Sequence, residues 1–297
     1  MISIPYYLIT SSSCQPSRSP KYHLLEKCYR SKLGMVSKAN FTSLTSCQRL
    51  GIEKKGLAIN FSPPEAWGES NETVDYTCEV LKCAESDGGL FMVNDSRYDY
   101  YSIYAKPIPH VNSSCVPTLG MFFIITKKQN YTLGLRECKN LSSLPADITS
   151  EQRTDALAQL LLGNSIEMAF VGMRSKNGSA FISITGDALD CSTYRAWAPG
   201  NPRRARKNFD CVLLTRSRTW ISMPCKKNYP MLCELVPGGP YKRGSLFASR
   251  RKILPPSPHH TPHIILALNR DLCVFVYKNL INYNKIHFYT IYKLVFT

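Results

Sequence analysis

Apolar residues recur along this chain in short runs, and the period of the pattern changes from run to run. Near the start, Leu24, Leu25 and Cys28, and then Leu44, Cys47 and Leu50, fall at helical spacings, which predicts helix within YHLLEKCYRSKLGMVSKANFTSLTSCQRL. GLAINFSP follows, a β-prone run stopped by Ser-Pro-Pro, and reads as a short strand. YTCEVLKC alternates and carries Cys78 and Cys83, and the tyrosine-rich VNDSRYDYYSIYA is strand-like. MFFIITKK (Met121–Lys128) has the continuous apolar start of a buried strand. NYTLGLRECKNL and SLPADITSEQRTDALAQLLL then predict two helices. The first carries Cys138. In the second, Thr149 and Gln152 have capping-box spacing, and Ala156, Leu157, Leu160 and Leu161 form one apolar stripe. AFVGM (Ala169–Met173) predicts a strand, Asn177-Gly178 a turn, and Phe181, Ile182 and Ile184 lead into a long loop region.

These runs divide the chain into four parts. Residues 1–20 are Ser- and Pro-rich and read as a disordered leader; residues 21–116 form a cysteine-rich α+β module. Residues 117–236 hold the two helices and the later strands. Residues 237–297 open with Gly238-Gly239-Pro240, turn basic and Pro/His-rich, and end in an aperiodic mixture of Lys, Asn, Ile, Tyr and Phe. That tail reads as disordered, or as translated non-coding sequence. Met1–Thr10 is apolar but short, broken by Pro5 and without a basic start, which points to an imperfect N-terminus rather than a signal peptide. The apolar part of the tail is interrupted by Lys and Asn and falls short of the roughly 20 apolar residues of a membrane span.

Composition adds a compartment. Twelve cysteines fit an oxidising environment, and 44% hydrophobic residues suffice for a sizeable core. Glycosylation acceptor sequences occur at Asn40, Asn60, Asn71, Asn94, Asn112, Asn130, Asn140 and Asn177. Both features place the protein in the secretory pathway and imply a secreted glycoprotein. The net charge of +16 is concentrated. Residues 197–227 carry eight cations against Asp210 alone, and residues 240–297 carry nine against Asp271 alone. In a secreted chain such a balance points to sulfated glycans, acidic proteins or lipid headgroups rather than nucleic acid, with any membrane contact peripheral.

The densest stretch, WAPGNPRRARKNFDCVLLTRSRTWISMPCKKNYPMLCE, contains Trp-x-x-Gly-x-Pro, Asp-Cys, a lone Trp, Cys and a final Cys-Glu in that order. This order resembles the second half of a C-type lectin-like domain, and Phe170, Val171, Gly172 and Met173 match that family's Trp-Ile-Gly-Leu core motif in place. The resemblance implies an α+β fold with two helices, small antiparallel sheets and a long loop, preceded here by the small disulfide-rich α+β module. It implies the pairs Cys138–Cys233 and Cys211–Cys225, with Trp197 and Trp220 as structural residues. Cys28, Cys47, Cys78, Cys83, Cys115 and Cys191 are left with 15 possible connectivities, a bridge from Cys191 to the first module among them. Cys47, GLAINFSP, Cys78 and Cys83 loosely resemble a PAN/apple-like module; an unclassified cysteine-stabilised segment is the other reading.

Calcium-dependent members of the family hold the ion with Glu-Pro-Asn or Gln-Pro-Asp and with Asn-Asp after the late Trp. Here the corresponding residues are Asn201-Pro202-Arg203 and Trp220-Ile221-Ser222, with no Asp or Glu between Cys211 and Cys233. Calcium takes six to eight oxygen ligands, so no metal and no cofactor is expected. The run Arg203-Arg204-Ala205-Arg206-Lys207 occupies the ligand loop instead. Asn201, Arg203, Arg204, Arg206 and Lys207 are therefore the candidate ligand-binding residues, able to grip sulfate, carboxylate or phosphate. A solvated loop and an Arg-x-x-Arg processing site are the other readings of that run. All six histidines lie outside residues 117–236, which removes a histidine-based catalytic arrangement from that region and argues against an enzyme. The expected function is calcium-independent recognition of an extracellular anionic glycan or protein. The alternative is a structural or adhesive matrix protein whose lectin-like domain makes only protein contacts.

Overall fold

In the computed structural model, residues 19–67, 75–86, 89–105, 108, 113–175, 180–203 and 208–238 are described. The described residues open with three short strands, β1 (His23–Glu26), β2 (Tyr29–Ser31) and β3 (Met35–Ala39). Helix α1 (Leu44–Glu53) follows, capped by Ser43, whose hydroxyl accepts from the Ser46 N–H. Then come β4 (Ala58–Phe61), β5 (Cys78–Leu81), β6 (Met92–Asn94) and β7 (Asp99–Ser102). Five of these seven strands form an antiparallel sheet in the order β1-β7-β4-β5-β3, while β2 and β6 pair separately.

The helical spacing at Leu24, Leu25 and Cys28 does not produce a helix. β1 pairs with β7, its residues alternate in burial, and Leu24 faces outward. Cys28 has a φ of 60°, which no helix accommodates, so the chain turns there into β2. Pairing across the sheet overrides a period supported by three residues only. Downstream, the spacing at Leu44, Cys47 and Leu50 does form α1, and Cys47 bonds to Cys78, stapling the helix to β5.

The second half begins with β8 (Ser113–Val116) and β9 (Gly120–Gln129), followed by α2 (Tyr131–Asn140), β10 (Ser143–Pro145) and α3 (Glu151–Gly163). Then come β11 (Met168–Arg174), β12 (Ile182–Ser183), β13 (Cys211–Thr215), β14 (Trp220–Met223) and β15 (Tyr229–Leu235). They make an eight-stranded sheet with the path β14-β13-β11-β15-β9-β8; β10 joins β15 and β12 joins β11. Asn130 caps α2 by accepting from Leu133 N–H. The cap of α3 is Ser150, accepting from Arg153 N–H, one residue beyond the Thr149 of the capping-box spacing. Thr149 instead donates its hydroxyl to Asp147.

The sheets are not separated at residue 117. β8 pairs along β9, so Ser113–Val116 belong to the second sheet, and Cys83–Cys115 ties the end of the first module to it. One apolar core runs through both halves, including Tyr100, Ile103 and Tyr104 of the first and Met121, Phe123 and Leu235 of the second. Across this seam the Tyr104 hydroxyl accepts from Met121 N–H at 3.0 Å. A second core lies wholly in the later half, under Phe122, Ile148, Leu157, Leu161, Val171 and Trp220. β9 explains its own composition: Met121 and Phe123 face the first core and Phe122 the second, so both faces need apolar residues.

Gly172 shows how tightly β11 is packed. A Cβ at this position would sit 2.5 Å from the Pro145 carbonyl oxygen, and the Gly172 N–H donates to Ala146 O at 2.8 Å. Backbone, unlike a flexible side chain, cannot swing away. Gly172→Ala is expected to lower the unfolding free energy by about 1–3 kcal/mol. Urea unfolding checks it, and an unchanged midpoint would show that β10 moves freely.

Candidate functional site

The long loop between β12 and β13 is held against the second sheet by aromatic contacts. Trp197 pairs with Trp220 in an isolated bridge, their rings meeting edge-on at 5.5 Å. Ala198 N–H donates to Trp220 O, and Trp220 N–H to Ala196 O. The fully buried Trp220 also donates its indole N–H to Thr154 Oγ1 on α3. Phe181 and Tyr194 pack on Trp197 and Trp220 respectively. Both tryptophans thus set the loop's path as packing residues.

From this frame the loop reaches Asn201 and Pro202, joined by a cis peptide bond. Asn201 Oδ1 accepts from both Ser222 N–H (3.0 Å) and Ser222 Oγ (3.2 Å), and Ser222 Oγ accepts from Arg203 N–H (2.8 Å). Ser222 is fully buried. At the positions where the resemblance places calcium motifs, the Asn201 oxygen thus accepts twice from Ser222, and the Ser222 oxygen donates to Asn201 and accepts from the Arg203 backbone. The three acids of the loop between β12 and β13 are engaged too. Asp210 accepts from Ser175 Oγ, Asp187 from Thr185 Oγ1, and Asp190 pairs with Arg195. Two neutral oxygens facing one another do not fit a calcium ion, which needs several hard, largely anionic ligands.

Of the candidate ligand residues, Asn201 and Arg203 lie together at this point. Asn201 is half-buried and structural, whereas Arg203 is exposed, with its guanidinium 5.6 Å from the centre of the Phe209 ring. Arg204, Arg206 and Lys207 lie outside the described residues. Arg216 and Arg218 do not share the loop's end of the sheet. They sit in the turn between β13 and β14, at the far end of both strands, and pair with Glu167 and Asp155. Lys226 and Lys227, just after β14, do share it.

The disulfides Cys138–Cys233 and Cys211–Cys225 are present, and Cys28 and Cys191 are also disulfide-bonded. The final Glu234 pairs with Arg153 of α3, which also reaches Asp147. Burial pushes the Glu234 carboxyl up, and the Arg153 charge opposes that shift.

Among the glycosylation acceptors, Asn40, Asn94 and Asn140 are exposed and Asn130 is half-buried at its helix cap; Asn71, Asn112 and Asn177 lie outside the described residues. Asn60 is a correction. It is fully buried in the central strand β4, with Nδ2 donating to Ser31 O and Glu79 Oε2, both at 2.9 Å. A glycan on that nitrogen has no room and would remove a donor from a buried network. An acceptor sequence in the middle of an apolar strand was the available signal that its Asn is interior.

One charged residue escaped sequence reasoning. Arg174 ends β11 and is exposed. Its charge reaches Tyr131, whose hydroxyl burial pushes up to about 12. Thirty residues separate it from the cationic loop in sequence, so only the strand register brings them to one edge.

The family model for the lectin C-type domain matches residues 127–235. Solved structures with a similar fold include human lithostathine, at 18% identity over 38% of this chain and 81% of that one, with a TM-score of 0.35. The carbohydrate-recognition domain of the mouse scavenger receptor C-type lectin matches at 20% identity, over 38% and 86%, with a TM-score of 0.34. Herring type II antifreeze protein matches at 14% identity, over 38% and 87%, with a TM-score of 0.33.

Proposed function

Because residues 127–235 are a C-type lectin domain, we propose that this protein is a secreted, glycosylated recognition protein that binds an anionic extracellular ligand without calcium. The observation that carries this reading is the Asn201–Ser222 pair. It locks the loop through protein hydrogen bonds at the positions where calcium-dependent members place the ion, and it leaves Arg203 exposed at the loop's edge. Guanidinium groups recognise sulfate and carboxylate through paired hydrogen bonds and need no metal bridge. Recognition rather than catalysis fits the same region, since no histidine lies within residues 127–235. The cysteines and exposed acceptor asparagines support passage through the secretory pathway.

A heparin column tests the ligand class. Retention beyond ordinary salt is expected, unchanged by EDTA and weakened by Arg203→Ala, Arg204→Ala and Arg206→Ala together. Elution at ordinary salt, or loss of retention in EDTA, would sink the reading.

A further inference from the structure

The exposed cations of the second sheet sort by the company they keep. Arg195, Arg216 and Arg218 each have a carboxylate partner, in Asp190, Glu167 and Asp155. Lys127 and Lys128 are also exposed and without one among the described residues, but stand on β9, separated from β11 by β15. Arg174, Arg203, Lys226 and Lys227 have none among the described residues either, and all four are exposed.

The register collects these four at one edge. Arg174 at the end of β11 stands opposite Cys211 at the start of β13, and Cys211 stands opposite Met223 at the end of β14. The chain leaving β14 turns at once, with Lys227 N–H donating to Pro224 O, and presents Lys226 and Lys227 there. Arg203 is pinned to the same edge by its N–H bond to Ser222, the residue before Met223. Cys211–Cys225 ties the start of β13 to this turn, so the lysines are carried by a cross-linked frame. The one acid beside them, Asp210, is occupied by Ser175 Oγ at 2.7 Å.

Three adjacent strands span about 10 Å from first to last. That is wider than one sulfate group, and the cations lie on separate elements across it. Protein partners recognise such a surface when an apolar or aromatic anchor sits at its centre. The exposed large apolar residues here, such as Met35, Leu90, Phe91, Leu133 and Leu162, all lie outside this edge. Phe209 is only half-buried, but it stands at the loop border beside Arg203. On the strand edge itself Arg174, Lys226 and Lys227 are exposed charges without a carboxylate partner among the described residues, which fits a linear polyanion.

We propose that the β11–β13–β14 edge, through Arg174, Lys226 and Lys227, is a binding surface for an extended sulfated polysaccharide, with Arg203 of the loop at its border. This rests on the anionic-ligand reading above and extends it from a loop to a fixed strand edge that the loop does not supply.

The test uses the full chain on heparin, reading affinity against salt concentration. In Arg174→Gln/Lys226→Gln/Lys227→Gln the magnitude of the log–log salt slope is expected to fall by about 2–3, as for three lost contacts to a linear polyanion. Arg216→Gln/Arg218→Gln is expected to leave it unchanged. A sulfated disaccharide is expected not to displace the protein, whereas heparin chains do. If the strand-edge variant keeps the parent's slope while the Arg203/Arg204/Arg206 variant loses affinity, the strand edge is not part of the site and the loop reading stands alone. An equal loss in the Arg216/Arg218 variant would reduce the effect to net charge and overturn the inference. If the parent is not retained at all, the anionic-ligand reading falls, and this inference with it.

Discussion

Replacing Cys138 and Cys233 together by alanine lowers the unfolding free energy by about 4–5 kcal/mol, the chain-entropy cost expected for a bridge closing a loop of nearly 100 residues. The bond spans 95 residues, almost all of the stretch that the lectin C-type family model matches, and joins α2 to β15. Both cysteines are fully buried in the core that runs through both halves of the protein. β15 lies between β11 and β9 and also pairs with β10, so freeing it loosens four strands at once. The second bridge, Cys211–Cys225, closes only 14 residues, and its removal is expected to cost about 3 kcal/mol. Urea unfolding of the two double variants separates them. A larger loss at Cys211–Cys225 than at Cys138–Cys233 would mean that local geometry, and not loop length, sets the contribution.

That long bridge was also the part of the fold most legible in the sequence. The pairing comes with the resemblance that the cysteine order and the Trp-x-x-Gly-x-Pro turn carry, and the apolar stripes of β9, α3 and β11 agree with the fold that this resemblance implies. Where local and global preferences agree less, reading fails. The period at Leu24, Leu25 and Cys28 is too short to outweigh pairing with β7. The division near residue 117 follows the runs along the chain, whereas the pairing of β8 with β9 is set by register across it. Asn60 satisfies an acceptor motif written in three residues, while its burial is decided by Ser31, Glu79 and Tyr100, which lie up to forty residues away. The candidate site divides the same way. The loss of carboxylates is visible residue by residue, and the exposed Arg203 follows from it. That Asn201 and Ser222 bond each other, and that Arg174 joins Lys226 and Lys227 while Arg216 and Arg218 do not, depend on register and could not be read from spacing.

The buried network around Asn60 carries the other large effect. Glu79, with 3% of its side chain exposed, receives Arg30 Nε at 2.9 Å and a second, shorter bond from Arg30 Nη2, a two-point grip. Asn60 Nδ2 donates to the same carboxylate, and Asn60 Oδ1 accepts from Ser31 N–H. The hydrogen bonds to Glu79 favour the charged Arg30 guanidinium, whose Cζ lies 4.5 Å from the centre of the Tyr98 ring. These contacts dock the β2–β6 pair onto β4 and β5 of the five-stranded sheet, and they do so through charges removed from water. Removing one partner strands the other. Arg30→Met leaves the buried Glu79 carboxyl without its counter-charge, and is expected to destabilise the protein by about 3–5 kcal/mol. Removing both is different in kind. Arg30→Met/Glu79→Leu deletes the desolvation cost together with the attraction, and is expected to recover most of that loss. A double-mutant cycle read by urea unfolding decides between this and a simple packing role. If the double variant is as unstable as the sum of the single ones, the pair is not coupled and the ion pair is not what docks β2–β6. If stability returns, the charge contributes the choice of one docking geometry over others, and the strength of the module comes from Cys47–Cys78 and the apolar core beneath it.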